Sequence, residues 1–131
     1  MIVRLPMNPI PAPRPRVTTK GWTYYPRAYK EWREQAAAII PHILSDAGLA
    51  APYEGALAVD VTFTVTRPKT TKFSYPRGDI DNYFKALDCL NGLLWEDDKH
   101  IVVLRATKRW AESGEPGWID IKVTEAREWR T

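Results

Sequence analysis

The sequence has few residues that could cross-link the chain, and it has no long uninterrupted apolar run. Its 131 residues include a single cysteine, Cys89, and two histidines. One cysteine excludes an internal disulfide and a cysteine-based zinc site, which needs several thiolates. No run approaches the roughly 18 uninterrupted apolar residues of a membrane span, and the first residues lack the apolar core of a signal peptide. We therefore expect a soluble cytoplasmic protein without a membrane partner.

Length and composition indicate one ordinary folded domain over residues 1–131. Hydrophobic residues make up 44% and charged residues 27% of the chain, close to the average for globular domains. A chain of this size can bury about two-thirds of its unfolded surface, which suffices for a single core. We find no internal repeat and no low-complexity tail.

The two parts of the chain differ in charge. Residues 1–78 carry 11 Lys/Arg against 5 Asp/Glu, a net charge of +6, whereas residues 79–131 carry 8 against 11, a net charge of −3. A basic segment suits contacts with phosphates, and the acidic residues collect where a metal ion could bind. Such asymmetry also arises by chance in small domains, so it does not by itself indicate nucleic-acid binding.

Hydrophobic periodicity predicts four strands and two main helices. Residues 26–47 carry an apolar stripe at helical spacing, with Pro41 expected to kink or split the helix, and residues 57–66 alternate as a half-buried strand. The other predicted elements are strands over 2–5, 101–107 and 118–124 and a helix over 80–90. We expect residues 111–117 to join the last two strands as a hairpin. The order β-α-β-α-β-β predicts an α/β (α+β) fold with one mixed sheet.

The chain opens with five prolines in its first fifteen residues. Proline favours extended backbone, so we expect an ordered extended arm in which Arg14 and Arg16 point the same way. A solvated polyproline linker fits the same composition. Aromatic residues follow in two polar stretches and are expected to pack on the core, with stacking on unpaired bases as the alternative: these are Trp22, Tyr24, Tyr25, Phe73 and Tyr75.

The second predicted helix carries charged residues on one face. Asp81, Lys85 and Asp88 fall within about 60° of one another on a helical projection. Asp79 and Asp81 lie at the start of this helix, where carboxylates commonly cap exposed N–H groups. A solvated helix face with capping carboxylates is therefore one interpretation of the pattern.

A second acidic pair, Asp97 and Asp98, directly precedes the strand predicted over 101–107. Four carboxylates from two element ends would suit a hard cation such as Mg²⁺ if the ends meet in the fold. A lysine one turn after Asp81 could then reach a phosphate, and nearby arginines could hold the flanking phosphates of DNA. Together these features suggest phosphodiester hydrolysis.

The spacing Asp79-x-Asp81-Asn82-x-x-Lys85, followed by Asp98 just before a strand, resembles the RusA family of Holliday junction resolvases. The segment Pro9-Ile-Pro-Ala-Pro-Arg-Pro-Arg-Val17 is similar to the N-terminal signature of phage and prophage members. The resemblance covers nearly the whole chain, since length, element order and motif positions agree.

The resemblance implies a Mg²⁺-dependent crossover junction endonuclease, with Mn²⁺ as a substitute, that makes paired symmetric nicks leaving 5′-phosphate and 3′-hydroxyl ends. Asp79, Asp81 and Asp98 match the metal ligands, and Lys85 matches a lysine required for cleavage. The interval from Asp81 to Asp98 is slightly shorter than in the best-known member, so Asp97 is the alternative third ligand. The resemblance also implies a homodimer acting on branched DNA (four-way junctions) in a bacterial or phage-infected cell.

The residues expected to contact DNA lie in the proline arm and around Asp79 and Asp81. They are Arg14, Arg16, Lys72, Arg77 and Asn82. Two other functions remain possible from the residues themselves: a non-catalytic binder of branched DNA, in which the carboxylates only cap a helix, and a different metal-dependent phosphodiesterase or phosphotransfer enzyme.

Overall fold

The computed structural model describes residues 2–126 of the chain. It contains a four-stranded mixed sheet, a two-stranded ribbon, two α-helices and two 3₁₀ segments. The strands are β1 (Ile2–Leu5), β2 (Arg16–Val17), β3 (Thr23–Tyr24), β4 (Leu57–Val65), β5 (Ile101–Trp110) and β6 (Trp118–Glu125). The helices are α1 (Arg27–Asp46) and α2 (Ile80–Lys85), and the 3₁₀ segments are Ala86–Leu90 and Asp98–His100. The predicted α+β class and the order of the main elements are confirmed.

The main sheet has the order β1-β6-β4-β5. β4 pairs in parallel with β5 and antiparallel with β6, and β6 pairs antiparallel with β1. The alternating apolar residues of β4 predicted one buried face, and its odd-numbered residues from Leu57 to Val65 are all buried. β4 therefore takes the centre of the sheet, while β5, which is mostly exposed, lies at one edge.

The predicted hairpin between the last two strands is wrong. β5 and β6 are separated by β4, and the linker over 111–117 crosses the end of β4, where the Ala111 amide donates to the Val65 carbonyl at 2.8 Å. Two strand spacings amount to about 10 Å, well within the reach of seven residues. The buried central strand needs a partner on each side, and this requirement overrides the local turn signal.

Helix α1 packs one apolar face against the sheet. Its predicted bounds are correct within one residue, and Ala36, Ile40 and Leu44 are buried in the core. The helix is continuous through Pro41, which lies on its exposed face, so the hydrogen bond that proline cannot donate faces solvent. No helix among residues 2–126 is long and apolar enough to cross a membrane.

The predicted helix over 80–90 consists of two parts. α2 ends at Lys85, and the chain tightens to a 3₁₀ segment in which Leu87 and Leu90 are fully buried. A 3₁₀ helix has three residues per turn, so this spacing points both leucines to the core. Trp95, also fully buried, completes the core beneath them.

The proline-rich arm is ordered and packs against α2. The Ala12 amide donates to the carbonyl of Asn82 at 2.8 Å, and the Ala12 side chain is buried against Tyr29 and Ala86. The expectation of an ordered extended arm is confirmed, and a solvated linker is excluded for this segment. Beyond Pro13 the chain leaves the core and forms the exposed β2–β3 ribbon.

Candidate active site

Asp79 and Asp81 lie at the start of α2 and are both exposed. Asp79 occupies the N-cap position, but its side chain makes no capping hydrogen bond. The Asp81 carboxylate accepts only the local amide of Asn82, at 3.1 Å. Capping, the alternative raised for these two residues, therefore does not account for Asp79.

The backbone before Asp79 is held by three neighbouring parts of the fold. The Lys108 ammonium of β5 donates to the Gly78 carbonyl at 2.7 Å. A Cβ at Gly78 would lie 2.8 Å from the Tyr83 ring and 3.1 Å from Pro11. Glycine is therefore needed where the proline arm, α2 and β5 meet, and this junction fixes the position of the adjacent Asp79.

The predicted charged face of one continuous helix is not formed, because Lys85 ends α2 and is exposed, whereas Asp88 lies half-buried in the 3₁₀ segment that follows. Asp88 accepts from the Arg33 guanidinium of α1 at 2.6 Å. Asp88 thus links the 3₁₀ segment to α1. The ammonium of Lys85 makes no such contact within residues 2–126 and is exposed one turn after Asp81.

Asp98 is held by the buried core through Asn91. The Asn91 Oδ1 accepts from the indole N–H of Trp95 at 2.7 Å and from the Asp98 amide at 3.1 Å. The carboxylate of Asp97 instead accepts the Lys99 amide at 3.0 Å, closing a local turn. Of the two adjacent aspartates, Asp97 is therefore engaged in local structure and Asp98 has the more available carboxylate.

The two carboxylates also differ in acidity. Partial burial, together with the hydrogen bond and the charge of Asp97, raises the pKa of Asp98. The hydrogen bond from the Lys99 amide lowers the pKa of Asp97. The surroundings therefore favour the ionised form of Asp97 more than that of Asp98.

The structure does not collect the predicted metal ligands into one group within a single chain. Over residues 2–126, no group of three or more acidic, histidine or cysteine side chains is placed to hold a metal ion. Asp79 lies next to Gly78, which contacts Lys108 near the end of β5, whereas Asp98 precedes the start of β5. The condition for a shared cation, that the two element ends meet, is not met among residues 2–126 of one chain.

The predicted DNA-contacting residues lie in the proline arm and β2, in the 67–78 loop and in α2. Arg14, Arg16, Lys72 and Arg77 are exposed, and Asn82 is half-buried beneath the proline arm. Arg77 stacks its guanidinium 4.6 Å from the centre of the Phe73 ring. The bond from Ala12 to Asn82 holds the arm at α2 two residues before Arg14, and Arg77 lies two residues before Asp79 in the chain.

Several aromatic side chains expected to pack on the core are exposed instead. Trp22 is 72% and Tyr24 46% exposed on the β2–β3 ribbon, and only Tyr25 packs as predicted, edge-on against Tyr29. Phe73 and Tyr75 are likewise 46% and 59% exposed. The signal in the sequence was Gly21, which adopts a φ of 82° in the turn between β2 and β3, next to the exposed Trp22.

The sequence matches the family described as Endodeoxyribonuclease RusA over residues 6–124. No curated protein matches it significantly. The matched range includes the proline arm, both aspartate pairs and Lys85, and it decides for a nuclease over a binding module or a phosphotransfer enzyme. The chain therefore belongs to the RusA family of Holliday junction endodeoxyribonucleases.

Proposed function

We propose that this member of the family is a Mg²⁺-dependent, structure-selective endonuclease. It acts as a homodimer on four-way junctions in the cytoplasm of a bacterial or phage-infected cell. Paired symmetric nicks leave 5′-phosphate and 3′-hydroxyl ends. The observation that carries the proposal is the exposed Asp79 carboxylate, which makes no cap on its own helix although it lies in the matched family range.

The donor atoms of the candidate ligands suit a hard divalent cation. Asp79, Asp81 and Asp98 offer carboxylate oxygens, the ligands that Mg²⁺ and Mn²⁺ prefer, and no soft sulfur ligand lies beside them in the sequence. All three side chains are exposed, so a cation that keeps several waters can reach them. A bound Mg²⁺ would polarise the scissile phosphate and make an attacking water more acidic.

The protein's own residues supply charge and position. Lys85 places an ammonium one turn from Asp81, where it stabilises negative charge that develops on the phosphate. The cations of the arm and of the 67–78 loop bind the flanking phosphates and set the register of the DNA without reading its sequence. The hydrogen bond from Ala12 to the Asn82 carbonyl anchors the arm at α2, close in sequence to Arg14.

The test is cleavage of a labelled synthetic four-way junction, with linear duplex and flap controls, in Mg²⁺ and in Mn²⁺. Wild-type protein is expected to make paired symmetric nicks. The Asp81→Asn variant is expected not to cut the junction. It should bind the junction at least as tightly as wild type, because a charge that repels phosphate is removed. The matched control is Asp60→Asn, which changes an exposed aspartate on the sheet face opposite the helices. Junction binding by wild-type protein without cleavage in either metal would refute the proposal.

The DNA-binding residues need a separate measurement. Arg14→Ala is expected to weaken junction binding and to lower the dependence of log K on log salt by about one unit, as expected when one phosphate contact is lost. Arg27→Ala, an exposed cation paired with Glu31 on α1, is the matched control. An unchanged salt dependence in Arg14→Ala would show that this side chain does not contact a phosphate.

A further inference from the structure

Two exposed aromatic side chains lie in the 67–78 loop, directly before the aspartates of the candidate site. Phe73 is 46% and Tyr75 is 59% exposed. Pro76, which follows Tyr75, is buried, so the loop packs on the fold while both rings remain accessible to solvent. Neighbouring apolar groups that stay exposed on a packed surface commonly mark a binding site.

Each of these rings has a cation beside it. The Arg77 guanidinium lies 4.6 Å from the centre of the Phe73 ring, and the Lys108 ammonium lies 5.4 Å from the centre of the Tyr75 ring. A cation over an aromatic face is attracted by the π electrons of the ring, which holds the two groups together. The surface therefore combines flat apolar faces with positive charge.

Strand β5 holds the backbone of this loop at two points. The indole N–H of Trp110 donates to the Phe73 carbonyl at 2.9 Å, and the Lys108 ammonium donates to the Gly78 carbonyl at 2.7 Å. Lys108 and Trp110 are two residues apart on one strand, so they project from the same face of the sheet. Because the loop is already fixed at both points, a ligand that binds the rings does not have to order it.

A nucleotide with an unpaired base has the chemistry that this surface suits. Its base can stack on an aromatic face whatever the sequence, and its phosphate can bind a neighbouring cation. The ammonium beside Tyr75 also holds the backbone before Asp79, so a base stacked on this ring lies close to the candidate site. In a continuous duplex the bases are enclosed in the stack and do not present their faces to a protein.

We propose that Phe73 and Tyr75 form a stacking platform for unpaired bases, and that this platform gives the enzyme its preference for branched over fully paired DNA. The inference rests on the proposed action on branched DNA and names the feature of the substrate that the site recognises. The cations of the loop bind phosphates in any DNA, so they add affinity without distinguishing the two forms. The rings make the distinction, because only a base outside the duplex stack can reach them.

Junction binding without a metal ion tests the platform apart from cleavage. The variant Phe73→Leu with Tyr75→Leu removes both rings and changes no charge. Its affinity for a four-way junction, and for a duplex with an internal bubble, should fall by about tenfold or more, as expected for the loss of base stacking. Its affinity for the fully paired duplex should stay within about twofold of wild type, and the dependence on salt should be unchanged, because no phosphate contact is lost.

Two control variants separate stacking from folding. Exchange of the two rings, Phe73→Tyr with Tyr75→Phe, keeps both aromatic faces and should bind all three DNAs as wild type does. Trp118→Leu removes another ring with a cation beside it, since Arg4 lies 4.9 Å from its centre, but this ring is on the opposite face of the sheet from Lys108. It should leave junction affinity unchanged. Equal losses in Trp118→Leu and in the double-leucine variant would overturn the platform.

Photochemical cross-linking locates the stacked base. Iodouracil is placed at the unpaired positions of the bubble, where irradiation joins it to an aromatic ring in contact with the base. Trypsin cuts after Lys72 and Arg77, so the cross-link should be recovered on the peptide of residues 73–77. Recovery only on residues 21–27, the peptide that carries Trp22, would overturn the platform and assign base stacking to the β2–β3 ribbon.

The outcomes separate this inference from the proposed function. Junction binding that depends on the two rings, in protein that cleaves no branched DNA in Mg²⁺ or Mn²⁺, would support the platform and refute the nuclease function. An equal loss of affinity for junction, bubble and paired duplex would overturn the platform, while junction cleavage by wild-type protein would leave the nuclease function standing. Wild-type junction affinity in the double-leucine variant would overturn the platform as well.

Discussion

Replacing Asn91 with alanine tests whether one amide joins the core to the candidate site. Its Oδ1 accepts from the Trp95 indole at 2.7 Å and from the Asp98 amide at 3.1 Å. Trp95 is fully buried, so water cannot take the place of the lost acceptor at the indole. An unpaired buried donor costs about 1–3 kcal/mol. Asp98 is exposed, and water can satisfy its amide, so we expect a total loss of about 2 kcal/mol.

Urea unfolding followed by circular dichroism measures this loss. A chain of this size has a urea m-value of about 2 kcal/mol per molar, so the midpoint of Asn91→Ala should fall by about 1 M at unchanged m. A double-mutant cycle with Trp95→Phe isolates the hydrogen bond, because phenylalanine removes the donor. The coupling free energy should be about 1–2 kcal/mol.

Junction cleavage adds a second measurement for the same variant. At a temperature where Asn91→Ala remains folded, cleavage should still fall, since Asp98 has lost the bond that positions its backbone. A coupling free energy below about 0.3 kcal/mol would refute the energetic argument. Unchanged cleavage by folded Asn91→Ala would refute the positioning of Asp98 through Asn91.

Three further predictions follow from single contacts. Trp22→Ala should leave the free energy of unfolding within about 0.5 kcal/mol of wild type, because the indole is exposed. It should weaken junction binding by about 1–3 kcal/mol. An unchanged affinity in a binding titration would mean that this indole does not stack on DNA. Gly78→Ala should lower the free energy of unfolding, measured with urea, by about 1–3 kcal/mol, because the new Cβ would lie 2.8 Å from the buried Tyr83 ring. It should also reduce junction cleavage. Wild-type stability together with wild-type cleavage would contradict the tight packing. The hydrogen bond from Arg4 lowers the pKa of Asp120 in the folded protein, so its stabilising effect is present above the unfolded pKa and is lost as the pH falls through the folded pKa. Asp120→Asn should therefore flatten the acid side of the stability-versus-pH curve, and identical acid slopes would argue against the Arg4 contact.

Local sequence patterns were sufficient to predict most secondary structure. The alternation from Leu57 to Val65 predicted β4, and the apolar stripe of residues 26–47 predicted α1, because the buried face of each element repeats with its own period. The spacing around Asp79 and Lys85 also pointed to the family that the match over residues 6–124 shows. These features depend on residues close together in the chain.

Long-range pairing was not predictable in the same way. The turn-rich segment 111–117 suggested a hairpin, but burial of β4 between β5 and β6 decided the order of the sheet. The exposure of Trp22 and the docking of the proline arm on α2 also depend on which surfaces remain uncovered after the core has formed. A local pattern shows which face of an element is apolar, but it does not show which element covers that face.

The candidate site shows the same division. The sequence by itself determined the carboxylates and cations, their spacing and the family to which they point. Only the tertiary structure decided that Asp79 and Asp98 lie toward opposite ends of β5, because the Lys108–Gly78 contact fixes one and the start of the strand fixes the other. The physical reason is that burial and backbone pairing across the whole chain set the order and direction of the strands. Strand order and direction in turn set the separation of Asp79 and Asp98, which are only 19 positions apart in the sequence.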